Sequence, residues 1–378
     1  MGEKINVLRV ITWLPVGGIE RRLVAVLPRL DRERFNVSLV CIRERGPLAD
    51  ELEAAGVPVD LVPFRSRWDP SALRKLAALM REKKIDIVHS HMYRANVPAT
   101  VAARMAGVKS VWGQVHNVGT WETWRQAWMD RVLCRWRSGM IAVSERVRQD
   151  VMERLGLPKG RVKVIYNGVD IARFRSARAR REEIRSREGA GAGDVVFLFA
   201  ARLVEQKRCA DFLDALRKIQ AREGGARVKA WILGDGPLRS GLEELAAMLP
   251  FAQNVRFFGK RADVEDFMAG ADVFVLPSTK EGFSNALVEA MASGMAIVAT
   301  DVGGNAEAVG DGREGLIVPP MDFERLTSAM GMMANNEETR KKLAAAAGAR
   351  AEMFSIERMV SQIEELYLKA KMIEFIRR

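Results

Sequence analysis

Short apolar runs rich in Val, Ile and Leu alternate with longer amphipathic stretches, and this alternation runs through the chain twice. In the first half the runs are INVLRVITWL, NVSLVCI, VPVDLVPF, IDIVHSH, VKSVWGQVH, MIAVS and VKVIYNG; in the second they are DVVFLFAARL, VKAWILGDG, VRFFG, DVFVLPS, AIVATD and GLIVPP. A strand that is apolar along its whole length needs cover on both faces, which a parallel sheet with crossover helices supplies. Two such series predict an α/β chain of two doubly wound, Rossmann-like domains. A length of 378 residues suits two domains, each able to bury its own core. The expected boundaries are 1–175 and 195–357, joined by a linker at 176–194. The stretch 171–194 carries many charges and then a Gly/Ala run, which reads as a helix followed by a flexible hinge. A last amphipathic helix is expected over 358–378.

No apolar run approaches the roughly 18 to 20 residues of a membrane-spanning helix. The N-terminus is charged and then strand-like, with no cleavage site of a secretory signal. Cys41, Cys134 and Cys209 are odd in number and far apart, which speaks against a disulfide framework or a zinc site and for a reducing cytoplasm. The net charge of +12 is uneven: residues 1–200 hold 36 Lys and Arg against 22 Asp and Glu, residues 201–378 hold 24 against 26. A basic first half suits phosphates, nucleic acid or an anionic membrane face, and equally a solvated Arg-rich surface.

Open parallel sheets bind ligands at the carboxyl ends of their strands, and the unusual residues cluster there. After the first strand come Leu14-Pro15-Val16-Gly17-Gly18-Ile19-Glu20. The two glycines allow a phosphate close to the backbone at a helix N-terminus, although Gly-Gly alone also marks a plain turn. After DVVFLFA comes Ala201-Arg202-Leu203-Val204-Glu205-Gln206-Lys207. Its two cations can converge on a diphosphate, and a Lys at a helix start is otherwise electrostatically disfavoured. After DVFVLPS comes Glu281-Gly282-Phe283-Ser284-Asn285-Ala286-Leu287-Val288-Glu289. Gly282, Phe283, Ser284, Asn285 and Ala286 bring backbone donors to a helix N-terminus. Glu289 lies about 6 Å further along the axis than Asn285. Two carboxylates so placed could each hold a pair of hydroxyls, or Glu289 could serve the helix dipole and Glu281 be a solvated loop acid.

Together these pieces resemble glycosyltransferase family 4 (group 1 type), retaining enzymes of the GT-B fold. The resemblance spans nearly the whole chain. It rests on Glu281 and Glu289 with seven residues between them, ARLVEQK, the GGIE loop, YNGVD at 166–170, LGDGP at 233–237 and VGGNAEAV at 302–309. It implies two domains facing each other across a cleft, with the final helix packed back on the first. It implies acceptor binding by the first domain and nucleotide-sugar binding by the second, with a UDP-sugar favoured over a GDP-sugar. By the resemblance Glu281 holds donor-sugar hydroxyls, Glu289 the ribose, and Arg202 and Lys207 the diphosphate, beside Gly17 and Gly18. His116 matches the family's His at this strand end and is expected near the donor sugar. No metal and no other cofactor is expected, and the acceptor would be a lipid-linked or other saccharide. Tyr166 and Ala306 stand where the family usually has Pro, a departure that touches loop geometry.

His89 and His91 end the strand IDIVHSH. They could be read as a metal pair, but no third ligand or Asp-x-Asp triplet stands near, and a lone His is most often structural. Trp121, Trp124, Trp128, Val132 and Trp136 recur at three, four, four and four residues, one helical stripe with Arg125, Arg131, Arg135 and Arg137 mostly beside it. Trp flanked by Arg suits an interfacial helix on anionic lipid at the inner face of the cytoplasmic membrane, and such a stripe also suits a core-facing helix. The core reading is expected from Val132 onward; for Trp121 and Trp124 lipid or acceptor contact stands open.

Other classes fit less well. A nucleotide-sugar epimerase or hydrolase would share the fold and need no acceptor. A dehydrogenase would need GxGxxG spacing, which neither Gly17-Gly18 nor Gly234-Asp235-Gly236 provides. A non-catalytic binder of nucleic acid finds no aromatic-basic strand motif or zinc pattern.

Overall fold

The structure, a computed structural model, describes residues 3–66, 68–121, 123–221 and 227–376. The chain divides into two units, one running to Gly168 and resuming at Ile356, the other spanning Val169–Ser355.

The first unit holds seven parallel strands: β1 (Ile5–Ile11), β2 (Phe35–Cys41), β3 (Val59–Leu61), β4 (Ile87–His91), β5 (Ser110–Val115), β6 (Gly139–Ala142) and β7 (Val162–Val164). Their order is β3-β2-β1-β4-β5-β6-β7. The order reverses at β1, where Val7 lies beside Val37 on one side and Ile87 on the other. Alternate residues feed the two faces. Ile5, Val7 and Ile11 pack with Leu23, Leu27 and Ile363, while Leu8, Val10 and Val88 pack with Leu76, Ala99 and Ala102. Arg9 belongs to the first series by its period of two, and so places a guanidinium in the core, where it is fully buried.

The second unit holds six parallel strands: β8 (Asp194–Ala200), β9 (Arg227–Leu233), β10 (Val255–Gly259), β11 (Val273–Leu276), β12 (Ala296–Thr300) and β13 (Leu316–Val318). Their order is β10-β9-β8-β11-β12-β13, with the reversal at β8. Phe197 there pairs with Ala230 and Val273, and the core gathers Phe197, Phe199, Phe212, Val275 and Val298. Both reversals are topological switch points, where an open α/β sheet leaves a crevice at its carboxyl edge. The ends of β1 and β4 carry Gly17, Gly18, His89 and His91; the ends of β8 and β11 carry Arg202, Lys207 and Glu281.

Three expectations need correction. The 176–194 stretch is no hinge: it belongs to the second unit, and with Val169–Asp170 and the helices Ile171–Ala177 and Arg181–Arg187 it packs there. Charges of 171–194 enter ion pairs: Arg181 and Arg185 converge on Asp272, and Arg173 chelates Glu265. The final helix begins at Ile356, two residues earlier than expected. The tryptophans do not form one stripe. The helix starts at Trp124 with Thr123 as its cap, so Trp121 precedes it. Trp121 is buried, and its indole N–H donates to Asp130 at 3.0 Å because Asp130 is itself held in the core by Arg137 at 2.6 Å. Trp124, Trp128 and Trp136 are instead exposed, at 73%, 64% and 46%. Trp121 therefore cannot meet lipid, and the core reading fails for Trp136.

Candidate active site

In the second unit two loops are tied edge to edge. Thr279 donates its backbone N–H to the Gln206 carbonyl at 2.9 Å, and the Gln206 side chain donates to the Lys280 carbonyl. This brings Lys207 onto Glu281, with which it forms an ion pair and hydrogen bond; Glu281 is buried and Lys207 half-buried. Arg202 lies on the same 201–207 loop but is exposed, and among the described residues its guanidinium makes no ion pair or hydrogen bond.

Glycines allow this arrangement. A Cβ at Gly234, whose φ is +130°, would lie 1.9 Å from the Ala201 carbonyl oxygen, and one at Gly236 would lie 2.3 Å from that of Leu203. The LGDGP turn thus supports the Arg202 loop from behind, and Leu203 donates to the Asp235 carbonyl at 2.9 Å. Gly303, with φ +55°, would put a Cβ 2.2 Å from the Glu281 carbonyl oxygen, while Gly304 donates to the Gly282 carbonyl at 2.8 Å. The VGGNAEAV loop is the backing of Glu281, a role its sequence did not reveal.

The helix Asn285–Ala292 begins with Ser284 as its cap, accepting from Leu287 N–H at 3.4 Å. Phe283 offers no side chain to a ligand: it is buried, with its ring 5.1 Å from that of Phe354. Gly282 and Ala286 flank this start, and Glu289 sits one turn into the helix, half-buried. An anion here would meet the positive end of the helix and the Lys207 ammonium together.

In the first unit Gly17 caps the Gly18–Val26 helix without a side-chain bond. Glu20 turns back toward it, and burial raises its pKa above the usual carboxylate value. Arg22, two residues on, donates to the Asn167 side chain, so the YNGVD turn is fastened to the helix that begins in GGIE.

Beside this lies a chain of buried polar groups that sequence reasoning missed. Arg9 donates through Nε and Nη2 to His91 Nε2 at 3.1 and 2.7 Å, and through Nη1 to the Tyr367 hydroxyl at 2.7 Å. His91 Nδ1 meets His116 Nε2 at 3.0 Å. Tyr367 meets His89 Nδ1 at 2.7 Å, and His89 Nε2 meets Gln114 Oε1 at 3.0 Å. The rings of His89 and His91 stack, as do those of His91 and His116. Burial first, and then the nearby cations, hold all three histidines well below the ordinary value of 6.5: Arg9 for His89 and His91, Arg22 and Arg9 for His116. They are neutral at physiological pH. The one signal available was Arg9, a lone charge inside the apolar run INVLRVI. His89 and His91 spend their nitrogens on protein partners, so the metal-pair reading fails for them. Among the described residues no group of three or more His, Cys, Asp or Glu side chains could hold a metal ion.

Residues 16–173 match the family described as Glycosyltransferase Family 4, and residues 194–336 match Glycosyl transferases group 1. The chain is 26% identical to the UDP-Gal:alpha-D-GlcNAc-diphosphoundecaprenol alpha-1,3-galactosyltransferase of Escherichia coli over 97% of both chains. It is 27% identical to the D-inositol 3-phosphate glycosyltransferase of Streptomyces scabiei over 94% of this chain and 86% of that one. Its fold matches the crystal structure of Anabaena HepE in complex with UDP, with a TM-score of 0.85 at 24% identity, covering 97% of this chain and 100% of the other.

Proposed function

The chain belongs to the group 1, family 4 glycosyltransferases of GT-B fold, and on that premise we propose that it moves a hexose-type sugar, with retention, from a nucleotide-diphosphate sugar to a lipid-linked or glycan acceptor of the cell envelope. A UDP-sugar is the favoured donor, in keeping with the donor of the Escherichia coli relative and the ligand of the Anabaena structure. The observation that carries the reading is the convergence of Lys207 and Glu281 beside a helix N-terminus at the β8 switch point.

As the bond to the leaving diphosphate breaks, negative charge grows on its oxygens. Lys207, Arg202 and the start of the Asn285–Ala292 helix are the groups that meet it, with no metal ion required, so activity persists in EDTA. Glu289 grips the ribose. Glu281 positions sugar hydroxyls; its ion pair with Lys207 makes it a poor nucleophile, and attack on the donor is front-face, assisted by the donor phosphate. The test is a panel of UDP- and GDP-hexoses, each with and without a diphospholipid-linked saccharide. The expected result is acceptor-dependent transfer from a UDP-hexose, with the anomeric configuration retained. Isomerised or hydrolysed donor with no need of acceptor would overturn this in favour of an epimerase or hydrolase.

Peripheral contact with anionic membrane at the cytoplasmic face belongs to the same reading. Among the described residues no helix is long and apolar enough to cross a membrane. Trp124, Trp128 and Trp136 are exposed, Arg125 lies 5.5 Å from the Trp124 ring, and Trp128, Arg131, Arg135, Leu155, Leu157 and Arg161 line a cavity of about 450 Å³ at the amino ends of β6 and β7. Indoles beside guanidiniums suit a phospholipid headgroup. Trp124→Ser with Trp128→Ser is expected to reduce binding to phosphatidylglycerol vesicles at low salt while leaving the melting temperature unchanged. Indifference of the wild type to such vesicles would remove the membrane contact.

A further inference from the structure

We infer that Arg9 and His91 are positioning residues that fix the tautomer of His116, so that its Nδ1 carries a proton and stands ready to donate to an oxygen of the bound sugar. Donation to a sugar oxygen rests on the function proposed above; the tautomer follows from the free protein.

The direction of every hydrogen bond in the buried chain follows from one fact. A guanidinium has donors and no acceptor. Arg9 therefore makes His91 Nε2 an acceptor, and twice over, through Nε and Nη2. A neutral imidazole carries one proton, so that of His91 sits on Nδ1 and is donated to His116 Nε2. His116 Nε2 is then the acceptor, and the single proton of His116 must sit on Nδ1. That atom is buried, and among the described residues nothing accepts from it. An unpaired buried donor is destabilising, a cost that a ligand oxygen arriving at the carboxyl end of β5 would relieve.

The second branch obeys the same rule independently. Arg9 Nη1 donates to Tyr367, whose hydroxyl proton goes to His89 Nδ1, leaving His89 Nε2 to donate to Gln114 Oε1, an acceptor. Both branches close without a clash: the other tautomer of His91 or His116 would set donor against donor, and that of His89 would set its bare Nε2 against the Gln114 oxygen. Among the described residues no carboxylate pairs with Arg9, so the cation spends its hydrogen bonds on orienting neutral groups. Tyr367 comes from the final helix, so its packing against β1 and β4 also holds Arg9 in place.

The experiment uses the full chain labelled with 15N-histidine. Its three histidines give three spin systems, assigned by single substitution. Long-range 1H–15N correlation at pH 7.5, without donor, is expected to show His91 and His116 protonated at Nδ1 and His89 at Nε2. In Arg9→Met, His116 is expected to move toward the Nε2–H form, and Arg9→Lys, which still donates, is expected to hold the wild-type tautomer. The folded Arg9→Met enzyme is expected to lose about 10- to 100-fold in kcat, with Arg9→Lys recovering part of it. His116 protonated at Nε2 in the wild type overturns the assignment, and this holds even if Arg9→Met does not fold. A shifted tautomer with wild-type kcat would overturn the catalytic half and keep the structural one. A protein with the expected tautomers but no transferase activity would sink the functional reading alone.

Discussion

At the switch point of the first sheet, a buried cation is surrounded by neutral rings; at that of the second, a cation and a carboxylate face each other on tied loops. Arg9, His91 and Tyr367 sit on β1, β4 and the final helix, and their hydrogen bonds are directed by depth and by the donor-only guanidinium. Lys207 and Glu281 sit on loops shaped by glycines, and each satisfies the other. The first arrangement is complete before any ligand arrives, except for one donor. On the function proposed above, the second would exchange its internal ion pair for contacts to diphosphate and sugar. Substitutions should therefore mainly cost orientation in the first and binding or turnover in the second.

The largest effect tests the exchange itself. Lys207→Ala and Arg202→Ala are each expected to cut kcat by about 100-fold or more, since leaving-group charge grows in the transition state. Calorimetric melting should separate them. Lys207→Ala strands the buried Glu281 carboxylate and lowers the melting temperature, whereas the exposed Arg202 side chain can be removed without loss of stability. Equal stability of the two would mean that the Lys207–Glu281 pair contributes nothing to the resting loop.

Gly303→Ala asks whether loop shape or charge positions Glu281. A Cβ at 2.2 Å from the Glu281 carbonyl oxygen, in a backbone with φ +55°, forces the loop to shift, at a cost of about 1–3 kcal/mol. Turnover should fall although no polar group is lost; unchanged kinetics would show that the Glu281 loop tolerates displacement.

Acid should act on one unit and spare the other. The three histidines, at 89, 91 and 116, all lie in the first unit. For His89 and His91 the folded value lies well below the ordinary 6.5, through burial first and Arg9 second. The native state then binds fewer protons than the unfolded one. Their contribution is present above pH 6.5 and is lost as pH falls below it, by about 1.4 kcal/mol per pH unit for each ring. Urea unfolding between pH 7.5 and 5.5, followed by hydrogen exchange, should show the first unit weakening selectively. Parallel weakening of both units would mean the histidine chain is not the acid-sensitive element.

The smallest effect separates the two carboxylates. Glu289→Gln is expected to weaken UDP by about tenfold, while Glu281→Gln leaves UDP bound and impairs transfer. Titration calorimetry giving the reverse ranking would exchange their roles.

The sequence by itself determined the two parallel sheets, because strands apolar on both sides can be buried in few other ways, and it determined which loops end at the strand edges. It also determined the Lys207 and Glu281 candidates, since charges at strand ends and helix starts stand out against their expected chemistry. It misjudged 171–194, because a run of arginines looks solvated until Asp272 and Glu265, about ninety residues away, supply partners. It left Trp121 open, because helical spacing cannot tell that the helix begins three residues later or that Asp130 turns inward. Only the tertiary structure decided the histidine chain. Arg9, His91 and Tyr367 are separated by 82 and 358 residues from Arg9 onward, and the proton on His116 is set by a guanidinium it does not touch. Hydrogen-bond direction is a property of groups brought together in space, and no local pattern of residues encodes it.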